Sequence, residues 1–259
     1  RAFTMLRTGR PGPVVLGVPN AAATYDETVD PYTPPKGWKS LPDPADITGA
    51  IAALNSAKKP VLFVGEGVLY ANATDELKAF AEKANLPVVT TLKAKGVFPE
   101  NHPLSVGVRG DHVVKFMEEA DLVFAVGASL SPGRFGHGVP DATSKTIVQC
   151  NIDEYDINRI YETSHAVIGD ARSTLQALEA ELAGNPGSGR DDVTGAVKAA
   201  KDKAMAGFHE VMASDEKPIN PYRVYGDLMK ALDRENSFVT HESGNTRDQL
   251  STAYETLIP

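Results

Sequence analysis

The chain has 259 residues, 42% of them hydrophobic and 23% charged, the make-up of a globular protein with one to two domains at about 150 residues each. Its formal charge of −8 argues against a nucleic-acid surface, which needs clustered lysine and arginine. One cysteine cannot form an internal disulfide, and no apolar run approaches the roughly 18 residues of a membrane span, so a cytoplasmic protein with no membrane or nucleic-acid partner is expected.

In chain order, Arg1 to Arg7 reads as the end of a helix, followed by a Gly-Arg-Pro-Gly-Pro turn and a buried strand, Val14 to Val18. A lone helix and strand cannot cover their apolar faces, so this piece reads as the tail of a domain. Residues 20–44, with Pro31, Pro34, Pro35, Pro42 and Pro44, read as an extended linker, and Trp38 is expected to pack it onto a neighbouring surface. Arg1 in place of a methionine, and Pro259 directly after a helical pattern, read as cut ends.

From Asp46 the chain alternates. A helix to Ala57 carries Ile47, Ala50, Ile51 and Leu54 on one face. Val61 to Val64 is a continuous apolar run, as expected of a parallel strand covered on both faces. It enters Gly65-Glu66-Gly67, where the backbone can turn sharply. A helix from Thr74 to Asn85 follows, then strands at Pro87 to Thr90, Leu122 to Val126 and Thr146 to Cys150, with a helix at Asp111 to Glu119 between. Cys150 in its apolar strand reads as a small core residue rather than a nucleophile. Asp156 to Tyr161 reads as a short helix, Ala166 to Ile168 as a strand and Ala171 to Leu182 as a helix. The alternation predicts a central α/β domain over 45–183, with a parallel sheet of about six strands and helices on both faces.

Residues 184–218 read as a boundary and a polar bridging helix, Val193 to Met212. Asn220-Pro221 supplies an N-cap and first-turn proline for a helix to about Leu232, with Val224, Leu228 and Leu232 aligned. Ser237 to Thr240 reads as a strand, followed by the turn His241-Glu242-Ser243-Gly244-Asn245-Thr246 and a final helix. This stretch, 219–259, reads as the opening of a second α/β domain.

The order Gly9-Arg-Pro-Gly-Pro-Val-Val-Leu-Gly-Val-Pro19, Lys59-Pro-Val-Leu-Phe-Val-Gly-Glu-Gly67, Leu86-Pro-Val-Val-Thr-Thr-Leu-Lys-Ala-Lys-Gly-Val-Phe-Pro-Glu-Asn-His-Pro103 and Ala120-Asp-Leu-Val-Phe-Ala-Val-Gly-Ala128 resembles the thiamine diphosphate enzymes of the acetolactate synthase type. The resemblance implies a Rossmann-like central domain, the tail of a pyrimidine-binding domain over 1–19 and the start of a diphosphate-binding domain over 219–259. It implies a 2-oxo acid substrate, thiamine diphosphate and Mg2+ as cofactors, and a homodimer or homotetramer of the intact enzyme. The family's activating glutamate belongs to the first domain and its Gly-Asp-Gly metal motif to the third. No Gly-Asp-Gly occurs here, so no catalytic residue and no metal ligand is expected in this chain, which alone should be inactive.

Carried over by resemblance, the central domain's ligand positions are Gly65, Glu66 and Gly67, Thr91-Leu92-Lys93, Gly107-Val108-Arg109, Gly127-Ala128-Ser129, and the turn from Asn151 to Asp153. In flavin-binding members these hold FAD; in other relatives they hold an adenine nucleotide or nothing. The chain departs from the flavin pattern after Ala128, reading Ser129-Leu130-Ser131-Pro132-Gly133-Arg134-Phe135, with Arg134-Phe135 as a candidate displaced counterpart. The residues alone leave a second reading open, in which the glycines only shape strand-to-helix turns. Arg109 could clamp a phosphate bidentately or pair with Asp111 or Glu119. Gly244, Asn245 and Thr246 align with the family's diphosphate-contacting turn, a glycine turn opening a helix that offers N–H groups to an anion. The histidines show no metal-ligand spacing. A nucleotide-binding or architectural module without chemistry is the competing expectation.

Overall fold

The computed structural model describes residues 1–20, 26–132, 138–185 and 191–259. Six strands, β1 (Pro60–Val64), β2 (Val88–Thr90), β3 (Ser105–Gly107), β4 (Leu122–Val126), β5 (Thr146–Asn151) and β6 (His165–Ile168), form one sheet in the spatial order 3-2-1-4-5-6. Every pairing in it is parallel. The helices are α1 (Ala2–Arg7), α2 (Pro44–Ser56), α3 (Gly67–Tyr70), α4 (Thr74–Ala84), α5 (Asp111–Glu119), α6 (Ala171–Gly184), α7 (Thr194–Met212), α8 (Pro221–Ala231) and α9 (Asn245–Ala253). The chain is therefore an α/β protein with a Rossmann-like sheet, as the alternation predicted.

The core follows from side-chain alternation along each strand. Leu62, Val64, Phe124, Val126, Val148 and Cys150 share one face, covered by Ile51 and Leu54 of α2, Leu77 and Phe80 of α4, and Leu175 and Leu178 of α6. Val61, Phe63, Val123, Ala125 and Ile147 share the other, covered by Val113 and Met117 of α5 and Val197 of α7. Phe80 and Phe124 meet with ring centroids 5.6 Å apart, and burying such a side chain fully contributes roughly 1.5–3 kcal/mol. Both faces are filled, which is why β1 and β4 read as unbroken apolar runs.

The helix starts follow local chemistry. The Asp43 side chain accepts from Ala45 N at 2.8 Å, with Pro44 in the first turn of α2. Asn220 accepts from Tyr222 N at 3.0 Å, with Pro221 opening α8, as predicted. Tyr225, Leu250 and Tyr254 join α8 and α9 in a separate small cluster. Helix α7, predicted to bridge, packs on α5 and β3 at one end and α8 at the other.

Four expectations are corrected. Val14 to Val18 is not a buried strand: Val15 is 96% exposed, and no strand pairs with this stretch among the described residues. Ser237 to Thr240 likewise forms no strand, and Phe238 is 89% exposed. A strand needs a neighbour to satisfy its backbone groups, and the sheet ends at β3 and β6. Asp156 to Tyr161 is not a helix; a 3-10 turn covers only Glu154–Asp156. Asn158 sits at φ +56 with its side chain accepting from Thr163 N at 2.7 Å, a left-handed residue that stops helical propagation. Trp38 does not bury itself against a surface and stays 57% exposed. Strand β3 was not anticipated.

Candidate functional site

The order 3-2-1-4-5-6 sends the chain from β1 toward one edge and from β4 toward the other. Beyond the carboxyl ends of these strands opens the crevice where such sheets place ligands. Its floor is made of glycine. A Cβ on Gly65 would lie 2.2 Å from the Gly127 carbonyl oxygen, and one on Gly67 would lie 2.8 Å from Gly127 Cα. Gly67 N donates to Gly127 O at 3.0 Å, and Gly127 N to Cys150 O at 2.9 Å. The turns after β1 and β4 can approach this closely only without side chains, and Gly127 also needs its φ of +62.

Above this floor lies a cleft of about 620 Å³, within the usual range for small-molecule sites. Gly65, Glu66, Gly67, Thr91, Leu92, Lys93, Val108, Gly127, Ala128, Ser129 and Asn151 all line it. The structure thus gathers residues that the sequence offered from five separate turns. Lys93 and Glu66 form an ion pair at 3.4 Å between two of these turns. Cys150 is buried at the cleft's edge, and burial pushes its thiol pKa far up, so it is no nucleophile.

Other predicted positions lie elsewhere. Gly107 closes β3 outside the cleft lining. Arg109 pairs with neither Asp111 nor Glu119; its Nη1 meets Asp248 of α9 at 2.8 Å. Asp153 lies outside the cleft lining and reaches it through Arg10 and through its amide, which donates to Asn151 Oδ1 at 3.1 Å. Gly244, Asn245 and Thr246 open α9, away from the cleft. Gly244 has φ +91, and no heavy atom lies within 4 Å of where its Cβ would be. That turn is open enough for an anion such as a diphosphate end. Arg134 and Phe135 lie outside the described residues.

One wall was missed by sequence reasoning. Leu6, Arg7, Gly9, Arg10 and Pro11, together with Trp38 and Lys39, come from the first forty residues and close one side of the cleft. Arg10 Nη1 meets Asp156 at 2.7 Å and Asp153 at 3.3 Å, and Arg159 meets the buried Asp156 at 3.1 Å. Burial works against the charge of Arg10, but Asp156 and Asp153 outweigh it and raise its pKa. Lys39 pairs with Asp170 at 3.2 Å, and Asp170 also caps α6. The available signal was Arg10 inside the Gly-Arg-Pro-Gly-Pro motif.

Thr90 was also missed. At the carboxyl end of β2 it lines the cleft, is only 4% exposed, and its Oγ1 has no hydrogen-bond partner. An orphaned buried hydroxyl costs roughly 1–3 kcal/mol, which a polar ligand atom would recover. Among the described residues no group of three or more His, Cys, Asp or Glu is placed to hold a metal ion, and no helix is long and apolar enough to cross a membrane.

The model of the thiamine pyrophosphate enzyme central domain matches residues 47–178, from within α2 to within α6, taking in all six strands. The chain belongs to the thiamine pyrophosphate enzyme family. Within it, this chain is similar to the acetolactate synthase large subunit of Corynebacterium glutamicum, at 38% identity over 68% of this chain and 30% of that protein. A probable acetolactate synthase large subunit of Methanocaldococcus jannaschii is 29% identical over 100% of this chain and 46% of its own length. The oxalyl-CoA decarboxylase of Escherichia coli is 30% identical over 96% of this chain and 45% of its own length. The chain spans less than half the length of each of these relatives. The strap of residues 6–11 and 38–39 lies outside the matched central domain.

Proposed function

We propose that this chain is the central part of a thiamine diphosphate-dependent decarboxylase or carboligase acting on a small 2-oxo acid. In this reading residues 1–19 belong to the pyrimidine-binding domain, 20–44 and 184–218 are connections, 45–183 is the central domain and 219–259 begins the diphosphate-binding domain. The observation that carries it is that the relatives match almost the whole chain and not the central domain alone. The exposed apolar residues Val15, Leu16, Val18 and Phe238 fit flanking pieces whose partners lie elsewhere. Thiamine diphosphate supplies carbanion stabilisation when bound. The open Gly244-Asn245-Thr246 turn would hold its diphosphate end, with Mg2+ ligands and the activating carboxylate supplied from outside these residues. Assembly as a homodimer or homotetramer in the cytoplasm is part of the proposal. Incubating the chain and the full-length protein with pyruvate, thiamine diphosphate and Mg2+ tests it: CO2 release is expected from the full-length protein only. Turnover by the chain alone would refute the division of labour.

A second reading is favoured by Thr90. Its orphan hydroxyl, the glycine floor and the cations Arg7, Arg10, Lys39 and Lys93 fit a phosphate-bearing nucleotide in the cleft, FAD, ADP or a coenzyme A moiety, held for structural reasons. Absorbance of material released on denaturation separates the cases: a flavin band indicates FAD, and adenine absorbance alone indicates ADP or coenzyme A. Release of neither leaves the central domain as an architectural scaffold.

A further inference from the structure

Helix α9 is fastened to the central domain at both of its ends, and neither fastening touches the cleft. At the start, Arg109 Nη1 donates to Asp248 at 2.8 Å. Beyond the end, Thr256 and Glu100 bind each other in both directions: Thr256 N donates to Glu100 Oε2 at 2.7 Å, and Glu100 N donates to Thr256 O at 2.9 Å. Glu100 is 8% exposed, and a carboxylate taken that far out of water is tolerated only with donors around it. Lys95 Nζ supplies one at 2.6 Å, the Thr256 amide supplies another, and Lys201 of α7 binds the Glu100 carbonyl oxygen. Part of what satisfies this buried charge is therefore the backbone that follows α9. Gly96, at φ +89, makes room, since a Cβ there would lie 2.7 Å from Thr256 Cγ2.

We infer that Glu100 and Arg109 are positioning residues: from the central domain they set where the Gly244-Asn245-Thr246 turn sits, and so tune thiamine diphosphate binding without touching it. This rests on the proposed role of that turn. Two anchors at opposite ends of one short helix leave it no freedom to swing, and the turn opens directly into that helix. The central domain then acts as a jig for a site it does not line.

The experiment uses the full-length protein carrying Glu100→Gln, Arg109→Met, Arg109→Lys or Thr256→Pro, the last removing the donor N–H from the other side together with the Thr256 side chain. Thiamine diphosphate dissociation constants are measured by calorimetry, with hydrogen exchange of residues 245–258 followed in parallel. Glu100→Gln, Arg109→Met and Thr256→Pro should each weaken cofactor binding about tenfold, a usual size for coupling between separate sites, and speed exchange across 245–258. Exchange of β1 and β4 should stay unchanged, and Arg109→Lys should recover part of the affinity. Faster exchange in 245–258 with an unaltered dissociation constant overturns the proposal alone. A wild-type protein that binds no thiamine diphosphate overturns the reading beneath it as well.

Discussion

Gly65 and Gly127 meet backbone to backbone across the two central strands, so that a Cβ on Gly65 would lie 2.2 Å from the Gly127 oxygen and 2.6 Å from Ala128 Cα. The obstacle is main chain on both sides, and neither rotamer change nor cavity collapse relieves it. Gly65→Ala should therefore cost about 3 kcal/mol or more, at the upper end of overpacking penalties. Urea denaturation checks this. Gly12→Ala, with nothing within 4 Å of its Cβ, is the control and should change stability little.

Thr90 sets stability against binding. Replacing its unpartnered hydroxyl by the methyl of Thr90→Val should raise stability by about 1 kcal/mol, because a buried group with no hydrogen bond is removed. The same change should weaken any nucleotide held in the cleft. A melting curve with and without ADP reads both effects, and a variant less stable than the parent in the absence of ligand would contradict the first.

The attachment of α9 should weaken in acid. Arg247 and Arg109, donating to the Asp248 carboxylate, hold its pKa below the usual aspartate range, outweighing the small opposing effect of burial. A folded pKa below the unfolded one means that the contribution is fully present above the unfolded value, about 4. It fades as pH falls through the folded value. The protection of residues 245–253 against hydrogen exchange, taken relative to the intrinsic exchange rate at each pH, should fall below about pH 4 and do so earlier than that of β1. In Arg109→Met the same loss of protection should appear at higher pH.

Trp38 is the sole tryptophan and stands at the cleft mouth, 57% exposed. Its emission should change saturably when FAD or ADP enters, and Arg10→Ala should weaken that response by loosening the adjoining strap. A nucleotide that binds by calorimetry yet leaves Trp38 emission unaltered would place the ligand elsewhere.

What could be read from the residues alone follows burial on both faces. Val61 to Val64 and Leu122 to Val126 are strands in sequence and in space because every side chain is covered. Ser105–Gly107 escaped because three residues, one of them glycine, carry no periodicity. The glycine turns of the cleft were legible since each follows an apolar run directly. The strap was not: Arg10 and Asp156 lie 146 positions apart, and no local pattern announces such a contact. Arg109 was legible as a charged residue in need of a partner, but its partner lies 139 positions on. Both misses concern contacts between the central domain and its flanks, where neither helical nor strand period constrains the pairing.

Cys150 lies within β5 with its side chain in the sheet's core, its thiol held protonated by burial. Thiol-directed reagents should pass it by in the native protein, leaving a blank background. A cysteine introduced at Gly12, where nothing stands within 4 Å of the Cβ, could then carry a fluorophore or spin label opposite a second one on α9. Distances between such probes would follow the N-terminal segment and the final helix in solution without any need to replace a native residue first.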